Sequence, residues 1–255
     1  VELVHVSPTH TSPVELPPGP SWSALCRRYK ASLDKKLIWT LEMLRQSQVQ
    51  LPKEATVYES ARAHYRVRTW FEVQRTRHGD FEFKQGLLPM TGYAYPARMN
   101  GAILALKARL KDVEALSKGL KYANVHVTTS GDVVMLLSYA GALPAGWRAA
   151  ASAFRAEAAV ELAGLRFPRT WSKGQGAWWR ERGRRVLCER DWIVEHFVCA
   201  GRRLSYEQAV GVFFQPNYGV CQQMLHWAEL HTRGLGGDML ELYCGCGFFS
   251  FGLAH

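Results

Sequence analysis

Apolar and polar positions alternate along this chain in ways that change from one segment to the next. From Ser21 to about Gln50 the residues Leu25, Leu33, Leu37, Leu41 and Leu44 recur at spacings of three, four and their multiples, with Lys30, Lys35, Lys36 and Arg45 between them. That spacing predicts an amphipathic helix with a basic face, which serves either as a solvated surface or as a contact for an RNA backbone. Between Tyr65 and Phe83 the pattern shortens: Val67, Phe71, Val73, Phe81 and Phe83 alternate with polar partners around His78-Gly79-Asp80. Two strands and a tight hairpin follow, one face apolar and the other carrying Arg66, Arg68, Arg75 and Arg77. Helical spacing returns over Ala97–Ala115 in Met99, Ile103, Leu106, Leu110 and Val113. A second hairpin is predicted from Asn124–Thr129 and Asp132–Tyr139 around Ser130-Gly131, its second arm too apolar for an edge strand. Trp147–Leu162 is alanine-rich and reads as a helix ended by Gly164. Together these elements predict an α+β unit.

The flanks differ. Residues 1–20 hold five prolines without apolar periodicity and predict an extended arm. Trp171–Arg203 places Trp178, Trp179 and Trp192 among Arg180, Arg182, Arg184, Arg185 and Arg190. Two readings fit this stretch: a nucleic-acid surface in which guanidinium groups hold phosphates and rings stack on bases, or a tryptophan core with an arginine rim. Further on, Phe213-Phe214-Gln215-Pro216-Asn217 leads into a predicted helix over Tyr218–Thr232, and a predicted strand Met239–Tyr243 enters the turn Cys244-Gly245-Cys246-Gly247. A short strand running into a glycine turn is how a Rossmann-type sheet brings its backbone close to a nucleotide-like ligand, although a plain strand-to-helix turn has the same spelling. The domain organisation expected is an arm over 1–20, a basic helix over 21–60, an α+β region over 61–205 and the start of an α/β Rossmann-like unit over 206–255.

Composition sharpens the choice of partner. The 255 residues carry a formal net charge of +10 and 47% are hydrophobic, so the chain is an ordinary globular protein with a preference for polyanions. It holds no apolar run of about 18 residues, which argues against membrane insertion. The six cysteines have neither paired CxxC nor ferredoxin-like spacing and read as free thiols rather than as a metal or iron–sulfur site. The first residue is Val1, so a leader segment is compatible with the sequence, and an organellar compartment, mitochondrial for instance, is favoured over the cytoplasm.

Two motifs are specific when taken together. Phe214-Gln215-Pro216-Asn217, followed by Leu240-Glu241-Leu242-Tyr243-Cys244-Gly245-Cys246-Gly247-Phe248-Phe249-Ser250, resembles the FxQPN and LLELYCGxGNFS motifs of the tRNA (uracil-5-)-methyltransferase family. Upstream, His64-Tyr65-Arg66-Val67-Arg68 is similar to that family's HYRxR strand, and Val127-Thr128-Thr129 through Leu136-Leu137-Ser138-Tyr139 to its central hairpin. The branch acting on the T-loop uridine of tRNA fits best, since no extra nucleic-acid barrel precedes the match and no four-cysteine cluster is present.

The resemblance implies a small α+β RNA-binding region followed by a Rossmann-like methyltransferase domain that uses S-adenosylmethionine. In the family an enzyme cysteine attacks C6 of a flipped-out uracil, C5 then takes the methyl group, and a carboxylate removes the C5 proton. It implies vestigial cofactor contacts at Gln215, Tyr243, Gly245 and Gly247 and RNA as partner, tRNA or rRNA; the candidate RNA contacts are Arg66 and Arg68 of the HYRxR strand and, on the nucleic-acid reading of the interleaved stretch, Arg180, Arg182, Arg184 and Arg185. Three departures accompany it. The chain reaches His255 only one predicted strand and one turn into the methyltransferase fold, ahead of the catalytic cysteine and base, so no residue is assigned a catalytic role. Cys244 and Cys246 fill space in the turn. Phe248 stands where the family has asparagine, and Trp70 and Glu72 where it has an acidic and a basic residue. The resulting expectation is an RNA-binding, non-catalytic component of a ribonucleoprotein such as an organellar ribosome, with other chains covering its incomplete sheet. The alternative is part of an active RNA uracil-C5 methyltransferase.

Overall fold

The computed structural model describes residues 2–6, 22–85, 88–89, 93–167, 184–187, 190–209 and 212–254. Its centre is a seven-stranded mixed sheet in the order β5-β4-β3-β6-β7-β8-β9, from β3 (Arg68–Arg75), β4 (Phe81–Gln85), β5 (Leu88–Pro89), β6 (Leu120–Val127), β7 (Val133–Ala140), β8 (Glu161–Phe167) and β9 (Arg184–Leu187). All neighbours are antiparallel except β7 and β8. A parallel pair needs a crossover, and α4 (Trp147–Ala158) supplies it.

Alternation along β3 and β6 sends Phe71, Val73, Ala123 and Val125 to one face, where α2 (Ala97–Asp112), α3 (Glu114–Ser117) and α4 bury Met99, Leu106, Leu116 and Phe154 against them. The hairpins predicted over Tyr65–Phe83 and Asn124–Tyr139 are present as β3–β4 and β6–β7. Arg75, however, lies over the Phe81 ring at 5.9 Å, on the side of its strand neighbour rather than with Arg66 and Arg68. The opposite face carries Val134, Leu136, Ala163 and Leu165, which meet Ile193 of a separate antiparallel hairpin, β10 (Trp192–Cys199) with β11 (Arg202–Ala209). A third cluster joins that hairpin to α5 (Tyr218–Thr232) and α6 (Phe248–Leu253) through Phe197, Tyr206, Phe214, Leu225 and Phe248.

Several expectations are corrected. The helix over Trp147–Leu162 ends at Ala158, because Ala159 turns left-handed with φ 51° and the next residues pair with β7. Gly164 is therefore an interior strand residue, not a helix stop. Glu2–Val6, assigned to the arm, is strand β1, parallel to β2 (Glu54–Tyr58); the rest of the arm lies outside the described residues. Met239–Tyr243 forms no strand: a strand persists only where a neighbour takes its amides and carbonyls, and none is hydrogen-bonded to it among the described residues. The predicted helix over Ser21–Gln50 is α1 (Trp22–Gln46), with Leu33, Leu37, Leu41 and Leu44 half-buried and Lys30, Lys35, Lys36 and Arg45 exposed. No helix is long and apolar enough to cross a membrane, among the described residues.

Gly164 is held by α4. A Cβ there would lie 2.7 Å from Cζ2 of Trp147. Trp147 cannot yield easily, since its Nε1 donates to the Tyr139 hydroxyl at 2.8 Å and that hydroxyl donates to the Leu116 carbonyl at 2.8 Å. Gly164→Ala is expected to destabilise the protein by about 1–3 kcal/mol through overpacking. Its urea midpoint should fall; an unchanged midpoint would mean that the Trp147 ring moves freely.

Candidate functional site

Most of the residues singled out in the sequence converge where the start of β3, the β10–β11 hairpin and the segment before α5 meet. The convergence is made by backbone. The Val67 amide donates to the Pro216 carbonyl at 2.8 Å, and the Val67 carbonyl accepts from Val127 at 2.8 Å. Arg66 forms an antiparallel bridge with Asn217. The Asn217 side chain then does two things: its Oδ1 accepts from the Val220 amide at 3.2 Å, capping α5, and its Nδ2 donates to Ser60 Oγ at 2.6 Å. HYRxR and QPN are thus neighbours in space, and Arg66, Arg68 and Gln215 lie close to the junction between them. Phe214, one residue before Gln215, is buried beside the His126 ring at 5.5 Å and carries the Arg68 guanidinium 5.8 Å from its ring centroid.

A second set of contacts builds the glycine turn. Glu241 accepts from the Ser250 amide at 2.8 Å and from its hydroxyl, capping α6 across the turn. Gly247 donates to the Cys244 carbonyl at 2.8 Å, and Tyr206 donates its hydroxyl to the Cys246 carbonyl. Gly245 and Gly247 have φ 58° and 73°, where side chains are disfavoured. Phe248 points inward, 4.6 Å from the Phe197 ring, while Gln215 and Tyr243 are exposed.

Between hairpin, turn and the end of β6 is a cavity of about 120 Å³, lined at its buried end by His126, Glu195 and Gln208 and at its outer end by Gln215, Tyr243 and Gly245. Glu195 is almost fully buried yet satisfied: it accepts from the Thr129 amide at 2.9 Å, the Thr129 hydroxyl at 2.6 Å and the His196 amide at 2.8 Å. Burial raises its pKa, and these bonds oppose the rise. His126 is held neutral, its pKa lowered to about 3 by burial first and by the Arg68 charge second. Burial pushes the Cys221 thiol up to about 12, the reverse of what a nucleophilic cysteine needs.

The structure does not gather all the residues named in the sequence. Arg180, Arg182, Trp178 and Trp179 lie outside the described residues. Arg184 and Arg185 are in β9, paired with Arg166 and Leu165 of β8. Trp70 is exposed on β3 with its ring edge-on to Tyr122 at 5.8 Å. Sequence reasoning missed Glu195, Gln208 and Glu241. A carboxylate inside the alternating stretch Trp192–Cys199 was the available signal for Glu195.

With the site described, comparison with known proteins is decisive. The profile of the family described as tRNA (Uracil-5-)-methyltransferase matches residues 28–255. The chain belongs to the tRNA (uracil-5-)-methyltransferase family. The tRNA/tmRNA (uracil-C(5))-methyltransferase of Aromatoleum aromaticum is 36% identical over 208 residues, covering 79% of this chain and 52% of that protein. Its namesake from Pseudomonas paraeruginosa is 37% identical over 207 residues, 78% of this chain and 53% of the relative. The Ectopseudomonas mendocina protein of the same name aligns over 233 residues at 33% identity, 89% and 59% of the two chains. The chain thus spans about half the length of the curated relatives it matches.

The neutral, buried His126 generates a pH dependence. Its folded-state pKa of about 3 lies below its ordinary value of 6.5, so the unfolded chain binds the proton first. Stability is present above pH 6.5 and is lost as pH falls toward 3, with a slope of at most about 1.4 kcal/mol per pH unit from this group. In urea titrations His126→Phe should flatten the fall between pH 6.5 and 4. Identical profiles for the two proteins would show that His126 is protonated at no cost to folding.

Proposed function

We propose that this chain is an RNA-binding member of its family, engaging tRNA or rRNA through Arg66 and Arg68, with the adjoining cavity as the place where the RNA is read. The observation that carries the reading is the Arg66–Asn217 bridge, which sets a cationic strand beside the family's QPN segment. The net charge of +10 supports it by drawing in a polyanion. In this reading 61–205 forms the RNA-binding region and 206–255 the start of the methyltransferase domain.

S-adenosylmethionine is the cofactor of the proposed ancestry, and Gln215, Tyr243, Gly245 and Gly247 are the residues that would touch it. They do not by themselves fit a molecule of that size. The cavity of about 120 Å³ is well below the ~300–1,000 Å³ of ordinary ligand pockets, and Phe248 fills its wall with an aromatic ring in place of a polar contact. No methyl-transfer step is therefore assigned to these residues alone. Phe248 at the turn motivates the first reading, a non-catalytic role within a ribonucleoprotein in which other chains cover the exposed Leu240 and Leu242. A second reading, methyl transfer to uracil C5 by a larger assembly that includes this region, is favoured by the retained Gln215, Tyr243, Gly245 and Gly247.

Binding of labelled tRNA as a function of salt tests the proposal. The double variant Arg66→Ala/Arg68→Ala should weaken binding severalfold and lower the magnitude of the log–log salt slope by about 1–2. Unchanged affinity and slope would place the RNA elsewhere. Incubation of the same protein with tRNA and labelled S-adenosylmethionine should leave the RNA unmethylated; transfer of label would establish the second reading.

A further inference from the structure

Sulfur lines the cavity beside the glycine turn. Cys221, Cys244 and Cys246 all belong to its wall, and all three are free thiols. They differ in access. Cys221, in the first turn of α5, is 5% exposed within the third hydrophobic cluster; Cys246 is half-buried against that same cluster; Cys244 is exposed and so does not fill space in the turn. Cys246 is held on the Cys221 side, because Tyr206, a member of the cluster, donates its hydroxyl to the Cys246 carbonyl. The two thiols are near enough that the Cys246 charge, after burial, is the second cause of the raised Cys221 pKa. Glycines flank Cys246 at φ 58° and 73°, and among the described residues nothing lies within 4 Å of a Cβ built on Gly247, so the Cys246 side chain can swing without a clash at the turn. The same cavity admits a small polar molecule. His126 is 2% exposed and its Nδ1 has no hydrogen-bond partner among the described residues; Gln208 is 4% exposed and its Oε1 has none. Both line the cavity, whose volume of about 120 Å³ takes a few molecules of water size at ~30 Å³ each. Hydrogen peroxide is of that size, is uncharged, and donates and accepts hydrogen bonds as water does.

We propose that Cys246 and Cys221 are a thiol-oxidation site, a pair that hydrogen peroxide closes into a disulfide joining the glycine turn to the first turn of α5. The inference stands apart from the RNA reading, since it concerns thiols alone. Cys246, the more accessible of the two, attacks one peroxide oxygen as its thiolate; the O–O bond breaks, the other oxygen leaves as hydroxide and takes a proton to become water, and Cys246 is left as a sulfenic acid. The Cys221 sulfur then displaces the sulfenic hydroxyl: the S–S bond forms, the S–O bond breaks, and the Cys221 proton leaves with the hydroxyl as a second water. Two thiols are oxidised and one peroxide is reduced to two waters. Cys221, buried and with its pKa pushed up to about 12, is a poor first responder and acts only on a sulfenic acid already beside it. Cys199 lies in the same cluster but is no part of the cavity wall. Once formed, the bond holds the turn against α5 and narrows the cavity between them; a thiol reductant releases it.

The test treats the reduced, full chain with hydrogen peroxide, blocks the remaining thiols with N-ethylmaleimide, and maps the non-reduced peptides by mass spectrometry. The expected result is a chain lighter by two hydrogen atoms, with the Cys221 and Cys246 peptides joined and separated again by dithiothreitol. Cys244→Ser should keep this cross-link. Cys221→Ser should lose it and leave Cys246 as a sulfenic acid that dimedone captures. Glutathione disulfide, too large for the cavity, should form the link far more slowly than peroxide. The unsubstituted protein decides the matter should a variant fail to fold. A link between Cys244 and Cys246, a link through any other cysteine, or fully maleimide-blocked Cys221 and Cys246 after excess peroxide would overturn the proposal, and equal rates with peroxide and glutathione disulfide would overturn entry of the oxidant through the cavity.

Discussion

Val67 donates to Pro216 and accepts from Val127, so one residue ties the central sheet to the segment that starts α5. The rest of the site depends on that join. Asn217 cannot cap α5 and reach Ser60 unless Pro216 is held in register with Val67, and without the cap the first turn of α5 loses about 1 kcal/mol. α5 in turn sets the third hydrophobic cluster, since Leu225 is fully buried against α6, and a Cβ at Gly252 would come within 2.5 Å of Leu225 Cδ1. The glycine turn that precedes α6 thus takes its position from a chain of contacts beginning in the sheet.

A second constraint is the polar content of the interior. Among the described residues the β10–β11 hairpin forms a sheet of its own, which lies across one face of the large sheet through Ile193 and is locked there by Glu195. The Gln222 side chain adds to the lock by pairing with both the amide and the carbonyl of Val198 at 2.9 and 2.5 Å, in the manner of a short strand. A buried carboxylate with three donors fixes geometry better than an apolar contact of the same size, because only one arrangement satisfies it. The cavity beneath the turn is the space this lock leaves.

Much of the fold was legible because its elements obey their own periodicities. The hairpins β3–β4 and β6–β7, the helix α2 and the boundaries of α5 follow from alternation, helical spacing and the Asn217 cap. What was not legible was decided by tertiary partners. Val160-Glu161-Leu162-Ala163 suits a helix or a strand, and parallel pairing with β7 made it a strand; Met239–Tyr243 suits a strand and has no neighbour to become one. β1 was hidden by the prolines beside it. Family resemblance singled out Gln215, Tyr243 and Gly245, which line the outer end of the cavity, but the orphan atoms of His126 and Gln208 belong to strands distant in sequence and could be paired only in three dimensions.

The proposed RNA role requires the Arg66–Arg68 strand, joined through Val67 and Asn217 to the segment before α5, to respond to RNA together with the glycine turn. Amide hydrogen exchange on adding RNA addresses it directly. The account predicts that exchange slows together in residues 66–70, 213–218 and 243–249. Slowing confined to the strand, with 213–218 and 243–249 unchanged at saturating RNA, would contradict it.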